Sequence, residues 1–152
     1  MPTLLLRRAF AGLLGAAAIA AAASAADVSS ARDGPDLTKV RAAIKVKNYD
    51  AALHELQGMV VNVNDQTPDV YSLMGFVLRK SGDRPQAMTY YRKALDADPT
   101  HRGALEYQGE LYVELGQIDK AKENLAKLDR LCLFGCEEKN DLKQAIEHAS
   151  KG

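Results

Sequence analysis

Residues 68–101 read PDVYSLMGFVLRKSGDRPQAMTYYRKALDADPTH, and the stretch that follows repeats their pattern. Tyr71-Ser72-Leu73-Met74-Gly75 stands over Leu105-Glu106-Tyr107-Gln108-Gly109 at an offset of 34 residues. The offset persists: Leu78 lies over Tyr112, Gly82 over Gly116, Ala87 over Ala121, Tyr91 over Leu125 and Ala94 over Leu128. Within each copy two apolar stripes of helical period are separated by a glycine, the pattern of an antiparallel helix pair. Gly75 and Ala87 are small where two helices must cross closely. Gly82 and Gly116 fall where a helix ends and the chain needs a left-handed residue. Thr67-Pro68 reads as an N-cap followed by proline in the first helical position. Pro99 follows Asp98 where a helix cannot continue.

These positions carry a resemblance to the tetratricopeptide-repeat (TPR) family. Its 34-residue signature is matched almost position for position from Pro68 to His101, by Tyr71, Met74, Gly75, Leu78, Gly82, Ala87, Tyr91, Ala94 and Pro99. The match continues from Arg102 to Leu131, with Gln108 and Leu128 in place of smaller or apolar family residues. The resemblance implies an all-α, right-handed α-solenoid of about three TPR helix pairs plus a C-terminal cap helix.

Working outward, residues 36–67 form a degenerate first copy, 68–101 the second, 102–135 the third and 136–152 the cap. In the first copy Leu37, Val40 and Ile44 recur at helical spacing, Asn48-Tyr49-Asp50 makes the turn, and Ala51, Ala52, Leu56 and Met59 form the second stripe. Ala52 and Ala87 are 35 apart, so one residue is inserted, within Val61 to Gln66. Worn Gly and Tyr positions are expected of a terminal repeat with no neighbour on one side. In the cap, Leu142, Ala145, Ile146 and Ala149 recur at i, i+3, i+4, i+7 among charged residues, an amphipathic helix.

The resemblance also implies a binding module. Stacked repeats curve, and their inner helices line a concave groove that in this family commonly holds a protein or peptide. Groove positions fall on Arg41, Ile44 and Lys45 in the first copy. In the second they are Asp69, Ser72, Phe76, Arg79 and Lys80, and in the third Glu106, Glu110, Val113 and Glu114. Glu106, Glu110 and Glu114 lie at successive i, i+4 positions on one helix face, where like charges repel and stabilise poorly. They read either as an ordinary solvated face or as recognition residues. Phe76 is either an exposed anchor in the groove or buried under the next repeat. The carboxylate clamp of chaperone-binding members does not carry over, because Ser72 and Phe76 stand where it needs basic and amide residues.

The N-terminus reads as export machinery. Arg7-Arg8 is followed by an uncharged apolar run from Ala9 to Ala23, and Ala23-Ser24-Ala25 is a small-x-small cleavage site. Residues 1–25 are therefore expected to be a signal peptide cleaved after Ala25, with a retained anchor as the alternative. The run is mostly alanine and short for a span of about 20 strongly apolar residues. Arg7-Arg8-Ala9-Phe10 leaves both ordinary and twin-arginine export open. Alanine-rich leaders of this form resemble Gram-negative bacterial ones, which implies a periplasmic address. Residues 26–35, small and polar without apolar period, read as a disordered spacer.

The chain holds 20 basic and 20 acidic residues, and loss of Arg7 and Arg8 leaves 18 against 20. Nothing here supplies the basic excess that nucleic acid requires. Neither phosphate loop, nucleophile elbow nor interpretable acid pair is present, so no catalysis, cofactor or metal is expected. His54, His101 and His148 are too dispersed to form a ligand set and read as surface residues. Cys132 and Cys136, in Cys132-Leu133-Phe134-Gly135-Cys136, are the two cysteines. An even count in an exported chain points to a disulfide across a helix end, with Gly135 closing the helix just before Cys136. Free thiols, a soft-metal site with Glu137, Glu138 or His148, and a thiol-redox pair remain alternatives.

Overall fold

The computed structural model describes residues 34–151. The signal-peptide reading of 1–25 and nearly all of the 26–35 spacer lie outside the described residues. Seven α-helices follow in order: α1 Thr38–Lys45, α2 Tyr49–Val61, α3 Pro68–Lys80, α4 Arg84–Ala97, α5 Arg102–Glu114, α6 Ile118–Leu131 and α7 Glu137–Ala149. Each packs on the next, and α3 also touches α5 while α5 touches α7, which makes an all-α solenoid. A 3₁₀ turn at Val63–Asp65 occupies the segment that holds the extra residue between the first and second copies.

The helix boundaries have local causes. Asn48, Thr67, Asp83 and His101 each accept the backbone N–H three residues on, capping α2, α3, α4 and α5. Each first helix of a pair ends in the same turn. Asn48 N–H donates to Ala43 O, Asp83 N–H to Leu78 O, and Gln117 N–H to Tyr112 O, at 2.8–2.9 Å. That bond requires a left-handed residue just before the donor. Gly82 and Gly116 supply it at φ +94° and +71°. In the worn copy Lys47 is forced into the same conformation at φ +57°. The turn outlived its glycine.

Gly75 decides how closely α3 and α4 approach. A Cβ there would stand 2.5 Å from two Tyr91 ring carbons and 3.1 Å from Ala87 O. Tyr91, fully buried, thus lies flat in the slot that Gly75 leaves open. At the equivalent Gly109 the occupant is Leu142 of α7, 2.5 Å from where a Cβ would be. The cap helix therefore supplies the contact that Leu125, partly buried in the third copy, does not. Around these crossings lie two cores: Val40, Leu56, Val70, Met74, Val77 and Tyr91 over α1–α4, and Leu105, Ala121, Leu128, Leu142 and Ile146 over α5–α7. Gln108, out of keeping with the family pattern, is buried and accepts Asn124 Nδ2–H at 3.0 Å. The departure at Gln108 is thus satisfied by a second buried polar side chain.

Two expectations are corrected. Gly135 does not close the last helix of the third copy: α6 stops at Leu131, 34 residues after the end of α4 at Ala97, and residues 132–136 form a turn with Gly135 at φ +89°. The apolar stripe of α7 buries Leu142 and Ile146, whereas Ala149 is exposed at the helix end.

Gly75→Ala should lower the unfolding free energy by about 1–3 kcal/mol, because Tyr91 must be displaced. Lys47→Gly should raise it by up to about 1 kcal/mol, since a left-handed L-residue costs about 1–2 kcal/mol and glycine's extra chain entropy takes back about 0.5–1 kcal/mol. Urea melts of both variants check the pair of signs.

Candidate functional site

The inner helices α1, α3 and α5, continued by α7, line one side of the solenoid with two hollows. The larger, about 550 Å³, is framed by Asp69, Ser72 and Leu73 of α3, Arg102, Glu106 and Tyr107 of α5, and Glu137, Glu138 and Asp141 of α7. The 98–101 turn and Arg41 complete its rim. The smaller, about 230 Å³, is an apolar shelf of Ile44, Leu73, Phe76 and Tyr107 flanked by Arg41 and Lys45. Arg41, Leu73 and Tyr107 belong to both, so the two hollows form one surface.

The sequence-derived groove residues divide by burial. Arg41, Lys45 and Lys80 are exposed, Phe76 is half-buried, and Ser72, Arg79 and Glu106 are buried. Phe76 is neither a free anchor nor hidden. Its ring leans on Tyr107 at 4.9 Å between centroids and meets the edge of Tyr49 at 6.4 Å. The ammonium of Lys80 sits 5.3 Å over it, a cation–π arrangement.

The row of three glutamates is split by one arginine. Arg79, its side chain 2% exposed, pairs with Glu110 and with Glu114, the latter at 3.3 Å. Arg84 closes on the other Glu114 oxygen at 3.1 Å. Repulsion along α5 is thereby turned into a tie between α3 and α5. Glu106, one turn away, is 7% exposed and has no hydrogen-bond or ion-pair partner among the described residues. Burial, and then the nearby charges of Glu110, Asp141 and Glu138, push its carboxyl up to about 8. Burial likewise raises the Tyr107 phenol to about 12.

Several residues of this surface escaped the sequence reading. His101, expected at the surface, has a side chain only 16% exposed. Its Nδ1 accepts Ala104 N–H at 3.0 Å and its Nε2 meets Asp69 Oδ1 at 3.2 Å. The signal was its place just after Asp98-Pro99-Thr100, where a helix must begin. Glu137 and Glu138, named from the sequence only as possible metal ligands beside the cysteines, and Asp141, not singled out there, form a wall of the larger hollow. Their spacing before Leu142 places them on the face turned toward α5, legible once α7 is seen to fill the next helix position.

Cys132 and Cys136 lie at disulfide-bonding distance, with Cα atoms 5.7 Å apart. The Cys132 side chain is buried at the end of α6 and Cys136 starts α7. Their sulfurs and a Glu138 oxygen fall within 4.8 Å of one another. A reduced pair would thus offer two thiolates and a carboxylate, whereas the bridged pair offers no thiolate. No described helix is long and apolar enough to cross a membrane.

Residues 78–130 match the family model described as Tetratricopeptide repeat. Among curated proteins the chain is similar to the BBSome complex member BBS4 of Bos taurus, with 32% identity over 83 residues. That segment is 54% of this chain and 15% of the relative, so the chain corresponds to a small part of that protein.

Two outcomes follow from the charges. Replacing Glu110 and Glu114 together by glutamine strands a buried guanidinium and should cost about 3 kcal/mol, more than Arg79→Met, which removes the charge itself. Denaturant melts giving the reverse order would show that the charges of Glu110 and Glu114 are not what compensates the buried Arg79. Glu106 holds its proton more tightly folded than unfolded, against an ordinary value of 4.5. Wild-type stability should therefore fall as pH rises from about 4.5 to about 8. Glu106→Gln removes that dependence, so the variant should match wild type near pH 4.5 and exceed it at pH 8.5 in thermal melts.

Proposed function

We infer that this chain, whose residues 78–130 belong to the tetratricopeptide-repeat family, is a scaffold that docks an extended segment of a partner protein along its concave face, without catalysis. The observation that carries the reading is the shelf of Ile44, Leu73, Phe76 and Tyr107, an open apolar hollow flanked by Arg41 and Lys45. Partly exposed aromatics held rigid by their neighbours make effective anchors, because little side-chain freedom remains to be lost on binding. Membership of a multi-protein complex, which the relative's name records, accords with a scaffold.

The scaffold works in the periplasm. Arg7-Arg8 and Ala23-Ser24-Ala25 support export with cleavage after Ala25. A cysteine pair within bonding distance suits an oxidising compartment, where it serves as a staple between α6 and α7 rather than as a metal or redox centre.

Photo-crosslinking in cells that express the full chain tests this. A crosslinker at Lys45 should give discrete adducts in the periplasmic fraction, and one at Lys122, exposed on α6, should not. Ile44→Glu should reduce the Lys45 adducts at least fivefold at unchanged protein level. Equal labelling from both faces, or adducts indifferent to Ile44→Glu, would sink the docking surface.

A further inference from the structure

Six carboxylates border the larger hollow, against Arg41, Arg102 and His101. Half of them are already engaged. Asp69 meets His101, Glu138 meets Arg102 at 3.6 Å, and Asp98 accepts from Thr100. Glu106, Glu137 and Asp141 have no such partner among the described residues. Glu106 stands apart from the others. It is more than nine-tenths buried, it lines the hollow, and the buried arginine nearest in the fold is spent on Glu110 and Glu114. A buried carboxyl group facing an open acidic hollow with no partner keeps its proton until a cation is brought to it.

We propose that this hollow is a cation subsite of the groove, in which the ammonium or guanidinium of a lysine or arginine side chain from the docked segment sits against Glu106, with Asp141 and Glu138 at the rim. The inference rests on the docking reading above and names what the docked segment must carry. The shape of the surface favours a side chain over a bare ion. Leu73 and Tyr107 run from the apolar shelf into the hollow, so an aliphatic stem lies on them while its charged end reaches Glu106. The donors that do converge within 4.8 Å among the described residues are Cys132, Cys136 and Glu138, a set to which Glu106 and Asp141 do not belong. A small divalent ion needs such convergence, whereas a long organic cation does not.

The charges around Glu106 give the subsite a signature. Glu110 on α5 and Glu138 and Asp141 on α7 hold its proton on, Arg79 on α3 opposes them, and Arg102 and exposed Arg41 stand at the rim. With its carboxyl near 8, Glu106 is mostly protonated at pH 7. A cation seated against it reverses the balance and expels the proton. Binding should therefore release close to one proton at pH 7 and tighten as pH rises toward 8.

The test is titration calorimetry on the full chain at pH 7, in two buffers of different ionisation enthalpy. The probes are a blocked pentapeptide with one lysine between leucines, its norleucine counterpart, spermidine and magnesium chloride. The lysine peptide should bind at least tenfold tighter than the norleucine peptide and release about one proton. Glu106→Gln should abolish that release and the tenfold preference, and Asp141→Asn should weaken the preference about threefold. Equal affinity for the two peptides, both lost in Ile44→Glu, would overturn the cation subsite while leaving the docking groove standing. Proton-coupled binding of spermidine without either peptide would overturn both, leaving a small-cation site. Saturable magnesium binding that Glu106→Gln removes, or no heat from any probe, would also overturn the subsite.

Discussion

Tyr91 lies across Gly75 with no room for a methyl group between ring and backbone, and that contact sets the distance between α3 and α4. Helices that approach so closely exclude water from the residues beside the crossing, so Val70, Met74, Val77 and Ala87 are almost wholly removed from solvent. The neighbouring copy reproduces the crossing with another residue. Gly109 opens the same slot, but Leu142 of the cap helix enters it. The solenoid therefore needs α7 for the same reason that it needs α4. Without a large apolar side chain over that glycine the α5 backbone would face a void, and a void loses both burial and dispersion contacts.

This use of α7 also shapes the electrostatics of the inner face. A helix held by Leu142 and Ile146 carries Glu137 and Glu138 of its first turn, and Asp141 of the next, to the rim of the large hollow. Acidic residues suit a helix N-terminus, where they meet the positive end of the dipole. Three of them beside Glu106 produce an acidic end of the groove. At the other end Arg41, Lys45 and Lys80 surround the aromatic shelf. Arg79 separates the two regimes. Buried between α3 and α5, it pairs with Glu110 and Glu114, Arg84 adds the second positive charge, and Glu106 is left without an ion pair among the described residues. The polarity of the groove thus follows from one arginine's choice among three glutamates on a single helix face.

Much of the fold was legible because the repeat signature consists of packing constraints. Gly75, Gly82, Ala87, Tyr91 and Pro99 each answer a backbone or crossing requirement, so their spacing carries the helix pairing with it. The first copy was readable from its apolar stripes although Lys47 replaces the turn glycine, since the hydrogen bond from Asn48 to Ala43 tolerates a strained L-residue. Legibility ended at α6. Gly135 suggested the helix terminus, but a left-handed glycine serves a turn as well as a cap, and α6 stops at Leu131. The groove was less legible than the fold for a physical reason. Family positions say which residues point inward, and inward residues can pair with each other before any partner arrives. Arg79, Glu110 and Glu114 do so, and Phe76 is braced by Tyr49 and Tyr107. Pairing of that kind depends on contacts between copies about 34 residues apart, which no single stripe displays.

The cysteine pair belongs to the same economy of constraints. Cys132 is buried at the end of α6 and Cys136 begins α7, so a bond between them closes a very short loop. Loop-closure entropy grows with loop length, and a loop this short yields well under the roughly 3 kcal/mol of a 15-residue one. Stability alone is therefore a weak reason for the bridge. Orientation is a stronger one. The turn projects Leu133 and Phe134 into solvent, which gives it no apolar packing of its own to hold its course. A covalent tie across the turn, together with the ion pair of Lys139 with Asp129 at 2.8 Å, fixes the angle at which α7 leaves α6. That angle places Leu142 over Gly109 and sets Glu138 and Asp141 beside Glu106. One short turn thereby governs both the closure of the second core and the acidic end of the groove.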